Sequence, residues 1–225
     1  MSYRSIAIDG PSGAGKSTLA RMLAQELGFL YVDTGAIYRT IGLAVFRRGG
    51  DPSDAAQVLP LLNELDIGMR YEDDGVQHMF LNGEDVTQAI RQNAVSQYTS
   101  QVSALPEVRA FLLERQRELA RTHDVIMDGR DIGTVVLPQA DVKIFLTASP
   151  EDRAQRRYAE LKERGQEASF ASVLQDVKER DARDTGRAAA PLRQAEDARR
   201  ADTSGLTLEE SLRLLLDIIK ETLQV

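Results

Sequence analysis

The sequence predicts an α/β fold: a parallel sheet with helices on both faces, to which a small antiparallel β insert and a pair of charged helices are added. Three observations carry this expectation. Near the N-terminus short β-branched runs alternate with stretches of helical period, the pattern of a parallel sheet covered by crossover helices. Between about residues 66 and 87 the period drops to two and is broken by Asp74-Gly75 and Asn82-Gly83, dipeptides suited to tight hairpin turns. After residue 124 short apolar runs return and rejoin the core.

Ser5 to Asp9 is the first strand. A glycine loop follows, then a helix over Lys16 to Leu27, with Leu19, Leu23 and Leu27 at helical spacing and Gly28 placed to cap its C-terminus. Phe29 to Asp33 reads as the second strand, and Ile37, Ile41 and Val45 mark the helix after it. Gly49-Gly50-Asp51-Pro52 and one short helix lead into an antiparallel meander from about Asp66 to Thr87. Amphipathic helices come next, the last running from Pro106 to about Thr122, and Val125 to Asp128 and Val142 to Thr147 are short buried strands. Ser149-Pro150-Glu151-Asp152 opens a helix, with Ser149 as cap and proline at the first helical position. Gly165 breaks it, and a second charged helix runs from about Ser169 to near Arg187. Thr207-Leu-Glu-Glu210 is a capping box heading an amphipathic C-terminal helix.

At 225 residues the chain can bury a full core as one large or two small domains. It contains no cysteine, which excludes disulfides and thiolate metal sites and fits a cytoplasmic location. The longest apolar run near the C-terminus, Leu214 to Ile219, is interrupted by Asp217 and falls far below the roughly 20 residues of a membrane span. A net charge of -7 excludes a general nucleic-acid binder, because affinity for a phosphate backbone needs net basic surface. Neither a nucleic-acid polymer nor a membrane is therefore expected as a partner. Arginines concentrated between Arg153 and Arg200 still give the acidic chain a positive working region. The only histidines, His78 and His123, read as surface residues, not acid–base catalysts.

Gly10-Pro-Ser-Gly-Ala-Gly15-Lys16-Ser17 has the G-x-x-x-x-G-K-[ST] spacing of a phosphate-binding loop, between an expected strand and an expected helix. Glycines there let backbone N–H groups turn inward around phosphate oxygens, and the helix N-terminus adds its dipole. Lys16 can reach the β and γ phosphates of ATP, and the Ser17 hydroxyl can ligate Mg²⁺. Gly10, Pro11, Ser12, Gly13, Ala14, Gly15, Lys16, Ser17 and Thr18 are thus the expected donor-binding residues, and the fold is of the P-loop NTPase type. The chain has no Asn-Lys-x-Asp loop to read guanine, so a base-specific switch loses support. Asp33-Thr34-Gly35 and Asp128-Gly-Arg-Asp131 fall at C-terminal strand ends, where open α/β sheets bind ligands, although each also reads as an ordinary cap or tight turn. Arg153, Arg156 and Arg157 sit on one expected helix; Arg180, Arg183 and Arg187 follow on another at spacings of three and four, and are expected to share a face. Behind a phosphate loop such a run reads as guanidinium forks for phosphoryl transfer, not as a solvated face.

With those residues in hand, the chain resembles the bacterial cytidylate kinase family over nearly its full length. The resemblance rests on Asp33-Thr-Gly-Ala-Ile-Tyr-Arg39, Ser100-Gln-Val with Pro106-Glu-Val-Arg109, Asp128-Gly-Arg-Asp-Ile-Gly-Thr134, Lys143-Ile-Phe-Leu, Ser149-Pro-Glu-Asp-Arg-Ala, and Lys178-Glu-Arg-Asp-Ala-Arg-Asp184 with Arg187-Ala. It implies transfer of the γ-phosphate of ATP to CMP or dCMP with Mg²⁺, by a chain that is usually a monomer. It implies that Ser100, Arg109 and Asp131 read the cytosine edge, that Arg180 and Asp184 hold the ribose, and that Thr34 and Tyr38 line the site. Arg39, Arg130 and Arg187 would grip the acceptor phosphate, while Arg153, Arg157 and Arg183 would belong to a lid that approaches the donor phosphates. Lys16, Arg130, Arg157, Arg183 and Arg187 would thus act on the moving group. The implied division is a core of about 1–35, 105–150 and 188–225, a nucleoside monophosphate-binding insert of about 36–104, and a mobile lid of about 151–187 with few apolar anchors. A kinase for UMP or shikimate, or a slowly hydrolysing regulatory module, are the alternatives. One departure stands out: Ala198-Arg-Arg-Ala-Asp202 occupies the place of a more apolar last strand, which puts that strand's burial in question.

Overall fold

The structure, a computed structural model, describes residues 3–71, 77–163 and 165–224. In chain order its elements are β1 (Ser5–Asp9), α1 (Lys16–Leu27), β2 (Leu30–Asp33), α2 (Thr34–Arg47), α3 (Ala55–Leu62), β3 (Ile67–Tyr71), β4 (Gln77–Leu81), β5 (Glu84–Asp85), α4 (Asn93–Val102), α5 (Pro106–Thr122), β6 (Val125–Gly129), β7 (Val142–Thr147), α6 (Pro150–Glu163), α7 (Phe170–Gly186), β8 (Arg199–Asp202) and α8 (Leu208–Leu223). The chain divides into two compact units, one up to Leu30 and from His123 onward, the other from Tyr31 to Thr122. Helix α5, which the sequence division groups with the core, falls in the second unit.

The first unit is built on a sheet of order β2-β6-β1-β7-β8, with β2 leaving the unit after Leu30. β1 pairs in parallel with β6 and β7, and β7 with β8. A central strand of such a sheet must be apolar on both faces, and Ile6, Ala7 and Ile8 are all buried. β8 escapes that demand. As an edge strand it buries only Ala201, in register with Leu146, and leaves Arg199, Arg200 and Asp202 exposed, so a charged sequence still forms the strand. Helix α8 starts at the expected capping box of Thr207 and Glu210 and buries Leu215, Leu216, Ile218 and Ile219. Helices α6 and α7 pack on one another through Ala154, Leu161, Val173 and Val177, with Tyr158 and Leu174 against them. The sequence reading gave this segment few apolar anchors; the pair carries a small core of its own.

Gly10 closes β1 where no side chain fits. A Cβ there would lie 1.9 Å from the Leu146 carbonyl oxygen of β7, and its φ of 155° is one that other residues rarely adopt. Because that oxygen belongs to the paired backbone, relief means breaking sheet register. Gly10→Ala is expected to lower stability by about 3 kcal/mol or more, the upper end for overpacking, as read from the midpoint of urea unfolding.

In the second unit α2 packs closely on α4: a Cβ on Gly42 would stand 2.8 Å from Thr99 Oγ1. Ile41, Val58, Met79, Val86, Ile90, Val95 and Leu112 fill the core between these helices and the insert. The insert is the expected antiparallel sheet, of order β3-β4-β5, with Ile67 opposite Leu81. Asn82 and Gly83, at φ 51° and 83°, make its β4–β5 turn in the left-handed pair of dihedrals that such a hairpin requires. The turn expected at Asp74-Gly75 lies outside the described residues.

Candidate active site

In the first unit the loop from Gly10 to Gly15 joins β1 to α1, and Gly13 and Gly15 take φ of 75° and 89°, as an inward-turned run of amides demands. Lys16, the first residue of α1, is buried, and its ammonium donates to the Pro11 carbonyl at 2.7 Å. Burial pulls this ammonium down to about 7, with the Arg130 charge adding to the effect and Asp128, Asp184 and Asp9 opposing it. A lysine held at such electrostatic cost is poised for an anion that would restore its charge.

Ser17 Oγ donates to Asp128 Oδ2 at 3.1 Å, so a hydroxyl and a buried carboxylate stand together at the loop and the end of β6. Both donors are oxygens, the set that suits Mg²⁺ when phosphate and water complete its shell. The residues present therefore fit the ion that the sequence implies.

Beyond Asp128 the chain turns through Gly129, Arg130 and Asp131 into one π-helical turn, Ile132–Val136. Asp9 organises this turn, and sequence reasoning passed it over as a strand end. Its carboxylate, 5 % exposed, accepts from the backbone N–H of Ile132 and of Gly133, each at 2.7 Å. Burial raises its pKa to about 6; those two N–H groups pull it down, the Asp131 charge pushes it up and Lys16 lowers it. An aspartate directly before the glycine loop was the available signal.

Arg130 donates through Nε to Asp184 Oδ2 at 2.8 Å, and Arg187 Nη2 lies 3.8 Å from Asp131 Oδ1. Burial of the Asp184 carboxyl would raise its pKa, yet the guanidinium of Arg130, with Arg180 and Arg187 behind it, holds it below the usual carboxylate range. Lys16, Asp128, Arg130, Asp131, Arg180, Asp184 and Arg187 thus form one charged cluster, drawn from the head of α1, the end of β6 and the turn after it, and the last turns of α7 with the residue that follows. One expectation fails. Arg180, Arg183 and Arg187 do not share a helix face, because α7 ends at Gly186 and Arg187 is extended at φ -66°, ψ 142°, its Nε bonded to the Ala190 carbonyl. The extended backbone at Arg187, not helical spacing, sets its side chain beside Asp131.

The remaining arginines make the following bonds. Arg157 bonds Glu160 on its own helix, and exposed Arg183 bonds the Glu179 carbonyl, so these bonds belong to α6 and α7 and not to the cluster. Arg153, expected to approach donor phosphates, is 3 % exposed and engaged: it forms a bidentate pair with Asp181 and donates to the carbonyls of Ser12 and Ala148. Arg156, read only as one of the arginine run, donates to the carbonyls of Ala14 and Thr203.

In the second unit Asp33 is both cap and partner. Its carboxylate accepts from Ala36 N–H at the head of α2 and pairs with Arg39 at 2.7 Å, while Gln77 accepts from its backbone N–H. Thr34 is the buried first residue of that helix. Arg39 Nε is buried and has no hydrogen-bond partner among the described residues. The Arg109 guanidinium carbon lies 5.4 Å from the centre of the Tyr38 ring, and Nη1 donates to the Ser103 carbonyl. Ser100 is half-buried on α4, one turn before that carbonyl. Thr34, Tyr38, Arg39, Ser100 and Arg109 therefore all belong to this unit, and Asp131 to the other.

Comparison with known proteins follows the same lines. The family model described as cytidylate kinase matches residues 6–221. The cytidylate kinase of Caldicellulosiruptor bescii is 50% identical over 213 residues, covering 95% of this chain and 94% of that protein. The cytidylate kinase of Geobacter sulfurreducens is 50% identical over 216 residues, covering 96% and 92%. Among solved structures, a protein of Eubacterium ventriosum described as uncharacterized superposes with a TM-score of 0.53 at 11% identity, covering 97% of this chain and 98% of that one, a likeness of fold alone.

Proposed function

The chain belongs to the cytidylate kinase family, and from that premise we propose how its residues divide the work of phosphoryl transfer. It is a nucleoside monophosphate kinase that phosphorylates CMP, with ATP as donor. The observation that supports the mechanism best is the buried Lys16 beside Asp128, Arg130 and Asp184, a cluster in which each basic group already has its counter-charge in place.

The loop amides from Gly10 to Thr18 would wrap the donor phosphates, and Lys16 would follow the charge that builds on the transferred group. Ser17 and Asp128 would hold Mg²⁺, which when bound supplies charge neutralisation on the phosphate oxygens. No general base is required, since the acceptor phosphate oxygen is already a nucleophile; the site must place it in line and neutralise charge. Arg39, Arg130 and Arg187 would grip that acceptor phosphate, Arg180 and Asp184 the ribose, and Ser100, Arg109 and Asp131 the base, with Thr34 and Tyr38 beside them. Arg157 and Arg183 would reach the donor only on closure of the α6–α7 lid, which excludes water from the transfer. dCMP would serve as a second acceptor, and the chain would act as a monomer. No helix among the described residues is long and apolar enough to cross a membrane. A cytoplasmic location would fit a chain without cysteine.

The test is ADP release from ATP across CMP, dCMP, UMP and shikimate. CMP and dCMP should give the highest kcat/KM. Equal turnover of UMP or shikimate would overturn the acceptor assignment, and hydrolysis indifferent to every acceptor would favour a regulatory module.

A further inference from the structure

We propose that Arg153 and Arg156 are positioning residues for the donor phosphates: they hold the phosphate loop in its binding shape by drawing the Ser12 and Ala14 carbonyls outward. The inference deepens the kinase reading and rests on it.

A loop that turns its N–H groups inward must turn its carbonyls outward, and each outward carbonyl needs a donor or water. Two of these carbonyls find arginines from the same helix. Arg153 Nη1 donates to Ser12 O at 3.2 Å and Arg156 Nη1 to Ala14 O at 3.2 Å. Each arginine is itself anchored elsewhere. Arg153 donates through Nε to Ala148 O at 2.9 Å and pairs with both oxygens of Asp181 at 2.9 and 2.7 Å. Arg156 Nη2 donates to Thr203 O at 3.0 Å, just past β8. The packing agrees: a Cβ on Gly13 would meet Arg153 Cβ at 3.2 Å, and one on Gly15 would meet Arg156 Nη1 at 3.6 Å.

Helix α6 therefore lies against the back of the loop, with its guanidinium groups on carbonyls and the amide face left for phosphate. Neither arginine needs to touch a nucleotide to matter. At each site the loop carbonyl and the second anchor are met by different nitrogens of one rigid fork, a spread that the single nitrogen of a lysine does not reproduce.

The test is calorimetric binding of ATP, ADP and CMP, each alone, to the wild-type chain, Arg153→Lys and Arg156→Lys, with thermal melting as the check of folding. In both variants affinity for ATP and ADP should fall together by about tenfold or more, the effect of losing a charge-assisted hydrogen bond, while CMP affinity stays within about threefold. A loss confined to ATP would mean that the arginine touches the terminal phosphate, and unchanged ATP and ADP affinities would mean that the carbonyl bonds do not hold the loop. An equal loss for all three ligands would reduce the arginines to general scaffolding. Any of these overturns the proposal. If buried Arg153→Lys fails to fold, Arg156→Lys, at a half-buried residue, carries the same comparison. Binding of ATP and ADP needs no acceptor, so an error in the CMP assignment would show in the ADP-release screen and leave this result readable.

Discussion

Replacing Lys16 with alanine is expected to lower kcat by at least about a hundredfold, the scale of one preorganised electrostatic contact, while the chain remains folded. The two halves of that expectation have one cause. Burial, with the Arg130 charge adding to it, depresses the Lys16 pKa to about 7 against an ordinary 10.5. The unfolded chain therefore binds the extra proton between those values, and the lysine's cost to stability is full below about pH 7 and relieved as pH rises from there. Removing the charge consequently does the fold no harm, and Lys16→Met, which keeps the stem's volume, separates charge from cavity. Donor binding has the opposite sign. A polyphosphate raises the lysine's pKa, so its attraction is complete below about 7 and is lost as pH rises above it, by up to about tenfold per pH unit. ATP affinity of the wild type should fall between pH 7 and 9, and that of Lys16→Met should not share this loss. Activity of Lys16→Ala within a few-fold of wild type, or parallel pH profiles for the two proteins, would remove Lys16 from the chemistry.

How much of this was legible depended on the length scale of the signal. β1 was read to the residue, since Ser5-Ile-Ala-Ile-Asp9 is a buried strand with a glycine loop after it, and Thr207 with Glu210 fixed the head of α8. Such signals are local. β8 was harder, because an edge strand that buries one alanine has no pattern to betray it; its position came from the resemblance alone. The arginines show where spacing stops helping. A helical count put Arg187 on the face of Arg180, but α7 ends one residue earlier and the extended backbone at Arg187 redirects the side chain. Likewise Arg153 and Arg156 read as cations for phosphate, while the carbonyls of Ser12, Ala14 and Thr203 that they meet are distant in sequence and polar by backbone, not by residue type. Asp9 offered only its place before the glycine loop, and its role lay in distant backbone. Its two bonds go to amides more than a hundred residues away.

Asp131→Ala is expected to collapse discrimination between bases, lowering kcat/KM for CMP far more than for UMP, so that their ratio falls by about 10² or more. Asp131 is buried at the start of the π-helical turn, with Arg187 3.8 Å away. Cytosine presents an amino group at C4 where uracil presents a carbonyl oxygen, so an ionised carboxylate accepts a hydrogen bond from one and repels the other. A polar site rejects a ligand that leaves its buried groups unpaired far better than an apolar pocket rejects size. Asp131→Asn sharpens the comparison, for the amide can turn its NH₂ toward a uracil oxygen. It should retain more UMP turnover than alanine while losing CMP turnover, and its near-equal volume leaves the packing beside Arg187 in place. The quantity to measure is the CMP/UMP ratio of kcat/KM in all three proteins, with the KM for ATP as control. A ratio unchanged in both variants would place base recognition away from Asp131, and an equal loss for both acceptors would make the carboxylate a support for Arg187 alone.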